Sequence, residues 1–408
     1  MNCRHCGAEL SLSLIDLGSS PPSNAYLDVA HLSRAETWYP LRVAVCSRCW
    51  LVQTEDFARR DELFSDEYAY FSSFSRSWLA HARDYVGVVA RRFDLRPESL
   101  VVEVAANDGY LLQFVRELGI GALGVEPTAS TARAARGKGI EIVEEFFGVD
   151  LATRLVEQGR AADLMAANNV LAHVPDINDF VAGFAVLLKA DGVATFEFPH
   201  LLNLIEQAQF DTIYHEHYSY LSLTAVVRIF AANGLSVFDV EELSTHGGSL
   251  RVFAQRSDAG RRSVTAGVEA LLGREQAAGV TTPGMYQALQ GQAERIADDL
   301  VRFLVDARAR GERVVGYGAA AKGNTLLNFA GVRPHLLPWV VDRNPAKQGQ
   351  YLPGSRIPIV DEDRLRVERP DYVLILPWNL TDEVTAQLGY VSEWGGRFVT
   401  AVPTLTIR

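Results

Sequence analysis

The fold is decided by residues 100–112, which read Leu-Val-Val-Glu-Val-Ala-Ala-Asn-Asp-Gly-Tyr-Leu-Leu. Leu100–Val104 is an apolar run broken only by Glu103, the pattern of a strand buried in a parallel sheet. A turn of small residues follows at 105–109, and then an amphipathic helical pattern begins. Strand, small turn and helix form the opening unit of a doubly wound α/β fold, in which a ligand lies against the backbone of the turn.

Strand and helix patterns continue to alternate downstream, which predicts an open, parallel sheet of the Rossmann-like kind. The predicted strands are the apolar stretches at 122–125, 140–143, 164–167 and 192–198. Glu126 ends the first of these, where an acidic residue can accept two hydrogen bonds from a ribose diol. Each feature also occurs at ordinary solvated strand ends, so the prediction of a nucleotide-type site depends on their order along one sheet.

All four cysteines lie in the first 49 residues, as the C-x-x-C pairs Cys3/Cys6 and Cys46/Cys49. Two such pairs can place four thiolates tetrahedrally around Zn²⁺ at about 2.3 Å. Two disulfides or four reduced thiols are the alternatives, and disulfides are uncommon in cytoplasmic proteins. Because protein groups would fill all four coordination positions, the predicted zinc is structural.

Residues 210–220 concentrate side chains that can perform acid–base chemistry, since six of the eleven are Tyr, His or Glu. In an extended segment Tyr214 and Glu216 would face one side and His217 the other. His173 follows the strand predicted at 164–167. We expect both segments at the carboxyl ends of the strands, where doubly wound folds bind ligands. The alternatives are histidines packed in the interior, or a metal clamp, although the loop lacks the helical H-E-x-x-H spacing.

A second glycine-rich turn occurs near the C-terminus. Gly316 and Gly318 belong to a G-x-G-x-x-A motif that follows a predicted strand, and Asp342 ends the next strand. This arrangement fits a dinucleotide fingerprint and predicts a second Rossmann-like unit. A glycine-rich turn at a helix N-terminus, together with Lys322, also suits a pyrophosphate.

Composition narrows the classes of function. Lys and Arg number 39 and Asp and Glu number 50, so the formal net charge is −11. An acidic chain is a poor general ligand for nucleic acid. The longest uncharged apolar run, at 180–188, is far shorter than the ~20 residues of a membrane helix. The N-terminus lacks the apolar core of a secretory signal, so we expect a soluble, cytoplasmic protein.

The order of motifs resembles the Rossmann-like S-adenosylmethionine (SAM)-dependent methyltransferases. In particular, it resembles the sugar C-methyltransferases that act on nucleotide-linked keto-deoxysugars in bacterial antibiotic pathways. The matching blocks run over nearly the whole chain: the Cys3/Cys6 pair with 17–21, then 68–73, 103–112, 210–217 with 246–251, and 316–322. One position departs from the family pattern, because Ala105 stands where the family usually has Gly. Its methyl group would crowd the cofactor or require a small backbone shift.

The resemblance implies three sets of functional residues. Around the sugar it implies Tyr68, His173, Tyr214, Glu216 and His217. Around SAM it implies Ala105, Asn107, Asp108, Gly109, Glu126, Phe146, Phe147, Asn168 and Asn169. For the nucleotide-diphosphate keto-deoxysugar it implies Gly318, Lys322 and His246.

The expected reaction is methylation of the carbon next to a ketone. His217 or Glu216 would remove the α proton, with Tyr68, Tyr214 and His173 as candidate donors to the enolate oxygen. No metal is required for this step. The sequence leaves open whether C3 or C5 of the sugar receives the methyl group.

Three parts are expected: a zinc-binding module at 1–75, a SAM-binding methyltransferase domain at 76–258, and a C-terminal Rossmann-like domain at 259–408 that helps to bind the nucleotide sugar. Two other interpretations remain at this point. One is an NAD-dependent sugar-nucleotide oxidoreductase that uses the second glycine-rich turn and Asp342. The other is a non-catalytic zinc-ribbon adaptor, which the negative net charge and the titratable loop disfavour.

Overall fold

The computed structural model describes residues 1–57 and 71–408 and builds them into three β-sheets. Within those ranges, no helix is both long and apolar enough to cross a membrane.

A small antiparallel sheet contains the N-terminal strands. Its spatial order is β1 (Leu12–Ser20), β2 (Tyr39–Val45), β3 (Val52–Thr54) and β9 (Ser219–Tyr220). Cys46 and Cys49 lie in the turn between β2 and β3. Because β9 comes from the titratable loop at 210–220, that loop is attached directly to the N-terminal sheet.

The central sheet has seven strands in the order β6-β5-β4-β7-β8-β11-β10, and only β11 runs antiparallel to its neighbours. The strands are β4 (Leu100–Val104), β5 (Gly121–Val125), β6 (Glu141–Val143), β7 (Ala162–Asn168), β8 (Leu188–Pro199), β10 (Leu235–Leu243) and β11 (Ser249–Arg256). The helices of this region are α1 (Arg76–Arg92), α2 (Leu112–Glu117), α3 (Ala129–Gly137), α4 (Val149–Glu157), α5 (Ile177–Leu187), α6 (Leu201–Glu206), α7 (Leu223–Ala232) and α8 (Ala266–Ala278).

Helices cover both faces of the central sheet because alternate residues of a strand point to opposite sides. Val101 packs in one core with residues of α1, α2 and α3. Its neighbour Val102 packs in another core with residues of α4, α5 and α7. The predicted α/β class with a Rossmann-like sheet is therefore confirmed, and the strands expected between 122 and 198 correspond to β5, β6, β7 and β8.

The C-terminal sheet has the order β14-β13-β12-β15-β16-β17 and is parallel except for β17. Its strands are β12 (Val314–Tyr317), β13 (Val340–Val341), β14 (Ile359–Val360), β15 (Tyr372–Ile375), β16 (Arg397–Thr400) and β17 (Thr406–Ile407). The accompanying helices are α9 (Leu289–Ala309), α10 (Ala321–Phe329), α11 (Asp363–Glu368) and α12 (Thr381–Gln387). This is the second Rossmann-like unit that the sequence predicts.

The small sheet and the C-terminal sheet share one hydrophobic core. Leu14 and Leu41 of the small sheet pack in the same cluster as Leu300 of α9 and Leu374 of β15. Phe210, at the start of the titratable loop, belongs to this cluster as well. The loop therefore lies at the meeting point of all three sheets.

Candidate active site

A cavity of about 440 Å³ opens where the three sheets meet. Its volume is within the range of ~300–1,000 Å³ that is typical of small-molecule sites. The carboxyl ends of β4, β5 and β7, the loop at 212–217 and the start of α10 contribute to its wall. The crevice position expected for a doubly wound sheet is therefore the one that the structure shows.

Glu126 stabilises the turn at 105–109, which follows β4 of the central sheet. Its Oε2 accepts a hydrogen bond of 2.8 Å from the Asn107 N–H, and its Oε1 accepts one of 2.9 Å from the Thr128 N–H. Ala105 and Asn107 have φ angles of +60° and +49°, a conformation that costs a residue with a β-carbon about 1–2 kcal/mol. Burial raises the pKa of Glu126, and its side chain lines the cavity.

Asp108 and Gly109 support this turn from behind the cavity wall. Asp108 is buried, and its carboxylate lies 3.3 Å from Lys138 Nζ. Gly109 has a φ of +75°, and a β-carbon there would lie 2.3 Å from Ile140 Cδ1. These two predicted cofactor residues thus shape the turn rather than line the cavity.

The four predicted cofactor residues that follow Glu126 all line the cavity: Phe146, Phe147, Asn168 and Asn169. Phe146 is 40% exposed, whereas Phe147 is buried and packs edge-on against Phe180. The Oδ1 atoms of Asn168 and Asn169 are buried and accept no hydrogen bond from any residue that the structure describes. Buried acceptors of this kind need donors from a ligand or from water.

These groups fit SAM, the cofactor expected from the sequence. Glu126 would hold the ribose, because each carboxylate oxygen has lone pairs beyond the one that the backbone uses. The Oδ1 atoms of Asn168 and Asn169 would accept from N–H groups of the cofactor, and Phe146 offers an exposed apolar face for adenine. The turn at 105–109 provides the close backbone approach that such a ligand needs.

Two histidines that line the cavity, His173 and His217, are each held in a defined tautomer. His217 Nδ1 lies 2.9 Å from the Thr212 carbonyl oxygen, and His173 Nδ1 lies 2.8 Å from the Glu216 carbonyl oxygen. Because a carbonyl only accepts, each ring carries its proton on Nδ1, and Nε2 is an acceptor in the neutral form. Burial lowers the pKa of His173 to about 4 and the pKa of His217 well below its ordinary value. Both rings are therefore neutral near pH 7, and their centroids are 4.6 Å apart.

Glu216 belongs to the titratable loop and is buried where the loop contacts the N-terminal module. Its Oε1 accepts a hydrogen bond of 3.1 Å from Asn24 Nδ2, while its Oε2 has no partner in residues 1–57 or 71–408. Burial raises the pKa of this carboxyl group. The Tyr214 ring packs against His217 in a tilted arrangement, with 4.0 Å between centroids, and Glu216, His217 and Tyr214 all line the cavity.

Lys322 brings a positive charge to the cavity wall from the first turn of α10. Its Nζ donates a hydrogen bond of 2.9 Å to Asn379 Oδ1 and lies 4.6 Å from the centroid of the Trp378 ring. The Trp378 Nε1–H in turn donates to Asp211 Oδ2 at 2.8 Å. Burial lowers the pKa of Lys322 to about 8, so the ammonium form still predominates at pH 7.

His246 lines the cavity next to Asn169, whose Nδ2 lies 2.9 Å from His246 Nε2. Burial lowers the pKa of His246 to about 4. Gly318 does not lie on the cavity wall, because Pro377 packs against it. The structure thus brings Lys322 and His246 to the cavity and leaves Gly318 behind it.

The second glycine-rich turn is held by Asp342. Asp342 Oδ2 accepts from the Ala319 N–H at 2.8 Å, and Oδ1 accepts from the Asn344 N–H at 2.8 Å. The Ala319 carbonyl accepts hydrogen bonds from the Tyr26 hydroxyl at 2.7 Å and from Lys347 Nζ at 2.8 Å. These two side chains cover Ala319, and Asp342 does not line the cavity, although Ala320 of the same turn does.

Several cavity residues were not predicted from the sequence, and one predicted residue lies outside the described ranges. Asn24 and Lys347 line the cavity, yet neither belongs to a motif with a chemical signature. The nearest signal was the family block that ends at Pro21, three residues before Asn24. Tyr68 falls between 57 and 71, so its predicted role stays a prediction.

The four cysteines come together as the sequence predicts. They form no disulfide, and their four Sγ atoms all lie within 4.8 Å of one another. Cys3 Sγ is 3.5 Å from Cys49 Sγ, and Cys6 Sγ is 3.5 Å from Cys46 Sγ. Tetrahedral Zn²⁺ with bonds of about 2.3 Å requires sulfur atoms about 3.8 Å apart, so the thiol set fits a closed, structural zinc site.

Solved structures share part of this fold. The chain covers 79% of the magnesium protoporphyrin IX methyltransferase of Synechocystis PCC 6803 with bound SAM, using 44% of its own length, at 17% identity and a TM-score of 0.34. The chain also covers 95% of the PH0226 protein of Pyrococcus horikoshii OT3, using 46% of its own length, at 13% identity and a TM-score of 0.39.

Family models match three consecutive parts of the chain. They are a "Putative zinc binding domain" at 3–64, a "Methyltransferase domain" at 77–240 and a "C-methyltransferase C-terminal domain" at 244–403. Part of the chain also matches the ubiquinone biosynthesis O-methyltransferase of Chelativorans sp. (strain BNC1). That match has 25% identity over 161 residues, 33% of this chain and 62% of that protein.

A relative of full length decides the family. The C-methyltransferase NovU of Streptomyces niveus is 34% identical over 401 residues, which cover 98% of this chain and 95% of that protein. The methyltransferase domain at 77–240 agrees with this match, whereas the oxidoreductase and adaptor interpretations do not. The chain is therefore a SAM-dependent C-methyltransferase with a zinc-binding domain and belongs to the same family as NovU.

Proposed function

We propose that the enzyme methylates the carbon next to the ketone of a nucleotide-linked, dTDP-like 4-keto-deoxysugar. The observation that carries this proposal is the composition of a single cavity. Its lining combines the groups that fit SAM with neutral histidines beside a buried carboxylate, and the C-terminal domain adds Lys322 and Lys347. When bound, SAM supplies a sulfonium methyl group that a carbon nucleophile can accept.

His217 is our first candidate for the base that removes the α proton. Its Nδ1–H is engaged with the Thr212 carbonyl, so Nε2 has a lone pair available in the neutral ring. Burial lowers its pKa, so at neutral pH the ring is in the unprotonated form that a base needs, while the same burial weakens its basicity. Glu216 is the second candidate, because burial moves its pKa upward, toward the working pH.

The developing enolate oxygen needs a hydrogen-bond donor. In His173 the proton is on Nδ1 and is shared with a carbonyl, so donation from Nε2 would require a cationic ring. Burial opposes that cation and holds the pKa of His173 near 4. We therefore assign the donor role to the Tyr214 hydroxyl ahead of His173, and Tyr68 keeps the same expected role from the family resemblance.

The diphosphate of the substrate would bind at the C-terminal domain. Lys322 lies in the first turn of α10, where backbone N–H groups and the helix dipole favour an anion. Lys347 approaches the cavity from the loop after β13. Two cations that line the same cavity as the candidate bases would orient the sugar toward them.

The experiment that tests the proposal separates proton removal from methyl transfer. The enzyme is incubated with a dTDP-linked 4-keto-6-deoxyhexose in deuterated water without SAM, and incorporation of deuterium next to the ketone is followed by NMR. With SAM present, mass spectrometry should show a gain of one methyl group, and NMR should locate it on that carbon.

Two variants then assign the base. His217→Asn and Glu216→Gln should both bind S-adenosylhomocysteine normally, because neither residue holds the cofactor turn. Loss of the base should lower the exchange rate by on the order of 10²–10⁴. Exchange and methylation near parental rates in both variants would show that the loop is structural and that the proposed mechanism is wrong.

A further inference from the structure

The metal-binding turn at 3–6 contacts the active-site segments directly. Arg4 lies between two cysteine ligands, and its side chain is only 6% exposed. Its Nη1 donates to the Pro175 carbonyl at 3.1 Å, and its Nη2 donates to the Thr54 carbonyl at 2.8 Å and to Asp56 Oδ1 at 2.7 Å. A single guanidinium thus links two backbone segments that are far apart in sequence.

Each of these segments carries or contacts one of the two cavity histidines. Pro175 lines the cavity two residues after His173. Thr54 uses its hydroxyl to donate a hydrogen bond of 2.9 Å to the His217 carbonyl. The segments that carry His173 and His217 also contact each other directly, since the Tyr218 N–H donates to the Ala172 carbonyl at 2.8 Å.

The neighbouring residues of the same turn reinforce the link. His5 Nδ1 lies 2.7 Å from Asn178 Oδ1, and Asn178 Nδ2 donates to the His5 carbonyl at 2.9 Å. Gln53, next to Thr54, accepts from the Arg4 N–H at 2.9 Å through Oε1 and donates to Cys3 Sγ through Nε2 at 3.3 Å. The cysteine site is therefore attached on one side to the segment with His173 and on the other to the strand beside His217.

We propose that Arg4 is a positioning residue for the methyl-transfer reaction. It couples the zinc site to the separation of His173 and His217, a role that rests on the proposed function for the importance of those two rings. Zinc would hold the turn at 3–6 in one conformation, and the planar guanidinium would transmit that conformation to both histidine segments. A displacement of about 1 Å in such groups can lower turnover by on the order of 10².

Arginine suits this task for a geometric reason. Its planar fork reaches two carbonyls and a carboxylate at once, whereas a lysine ammonium is a point charge on a flexible stem. Arg4→Lys therefore keeps the charge but loses the simultaneous contacts. Arg48 is a matched control, because it occupies the other C-x-x-C turn, one residue before Cys49, and is exposed.

The test compares Arg4→Lys and Arg4→Met with Arg48→Lys and Arg48→Met in the full-length zinc enzyme. Amide hydrogen exchange, followed by mass spectrometry, measures how well the backbone of segments 169–175 and 212–220 is protected, and it needs no substrate. In the Arg4 variants we expect exchange in both segments to be at least about tenfold faster, with one zinc per chain retained. With the dTDP-linked 4-keto-6-deoxyhexose, kcat should fall by on the order of 10² while KM stays within about threefold. The Arg48 variants should match the parent.

A second variant keeps the test decisive if Arg4→Met loses zinc. Thr54→Val lies outside the cysteine turns and removes only the hydroxyl that contacts the His217 carbonyl, so exchange should become faster in 212–220 alone. Parental exchange and turnover in Arg4→Lys, or unchanged 212–220 protection in Thr54→Val, would overturn the proposal. If the Arg4 variants loosen both segments while His217→Asn still methylates normally, Arg4 does position them and the assigned base is wrong instead.

Discussion

The molecule contains two strand–turn–helix units that look alike locally and differ in what lies over them. In the central sheet β4, the turn at 105–109 and α2 form one unit, and in the C-terminal sheet β12, the turn at 318–320 and α10 form the other. In each, an acidic residue at the end of the adjacent strand accepts one hydrogen bond from an N–H of the turn and one from the N–H two residues further along the chain. Glu126 and Asp342 are these two carboxylates.

Both units reach the cavity, but only the first does so with its carboxylate. Glu126 lines the cavity, whereas the second unit contributes Ala320 and Lys322 and not Asp342. Tyr26 from the N-terminal module and Lys347 cover Ala319, the residue that Asp342 holds. The fingerprint thus specifies a hydrogen-bonded turn, while packing from elsewhere in the chain decides whether the carboxylate that holds the turn is open to a ligand.

Loss of the zinc site should have the largest effect, because it removes the N-terminal module that contacts both turns. Cys46→Ser deletes one of four ligands, and metal binding is coupled to folding in small metal modules. We expect the N-terminal module, which supplies both Tyr26 and Asn24, to unfold or aggregate, with loss of zinc and of turnover. Metal analysis and thermal unfolding measure this. A variant as stable as the parent, or pure parent protein without zinc, would contradict the assignment.

Matched substitutions of the two carboxylates should separate their roles. Glu126→Ala removes the candidate ribose ligand and the clamp on the turn, so affinity for S-adenosylhomocysteine should fall by roughly 2–4 kcal/mol. Asp342→Ala should leave that affinity unchanged, because Asp342 does not line the cavity. Calorimetry measures both, and equal affinities in the two variants would mean that Glu126 does not hold the cofactor.

Gly318→Ala should destabilise the turn at 318–320. Gly318 has a φ of +93°, and an added β-carbon would lie 2.4 Å from Pro377 Cδ. We expect the free energy of unfolding to fall by about 1–3 kcal/mol through strain and overpacking. Denaturant unfolding checks this, and S-adenosylhomocysteine binding should be unaffected in the folded variant. A parental stability would show that the turn can shift away from Pro377.

The charge at the second unit should depend on pH. Lys322 has a pKa lowered to about 8, so its ammonium form is present below pH 8 and is lost as the pH rises through that value. Affinity for dTDP should therefore weaken between pH 7 and 9. Lys322→Met should reduce the affinity at pH 7 by about tenfold, through loss of one charge-assisted hydrogen bond, and abolish this pH dependence. An unchanged pH profile in the variant would remove Lys322 from the diphosphate site.

The smallest expected effect is at Ala105. Glycine adopts the φ of +60° without a steric cost, although it also raises the entropy of the unfolded chain. Ala105→Gly should therefore raise the free energy of unfolding by no more than about 1 kcal/mol, and cofactor affinity should stay equal or rise slightly. A loss of stability in thermal unfolding would show that the alanine methyl group contributes packing that outweighs the strain.

Local patterns in the sequence determined most of the fold. The apolar run Leu100–Val104 and the small turn after it identify the first strand–turn–helix unit, because strand burial and turn geometry depend on neighbours a few residues away. The paired C-x-x-C spacing identifies the metal site for the same reason. The segment 214–217 stands out through its density of titratable groups.

Only the tertiary structure decided which of these parts form one site. Asn24 meets Glu216 across 192 positions of sequence, and Arg4 reaches Pro175 across 171. Asp342 and Glu126 have the same local sequence signature, although only Glu126 lines the cavity, so no local pattern could tell them apart. The physical reason is that contacts between sheets depend on how whole surfaces pack, and that packing is a property of many residues distributed along the entire chain rather than of any motif.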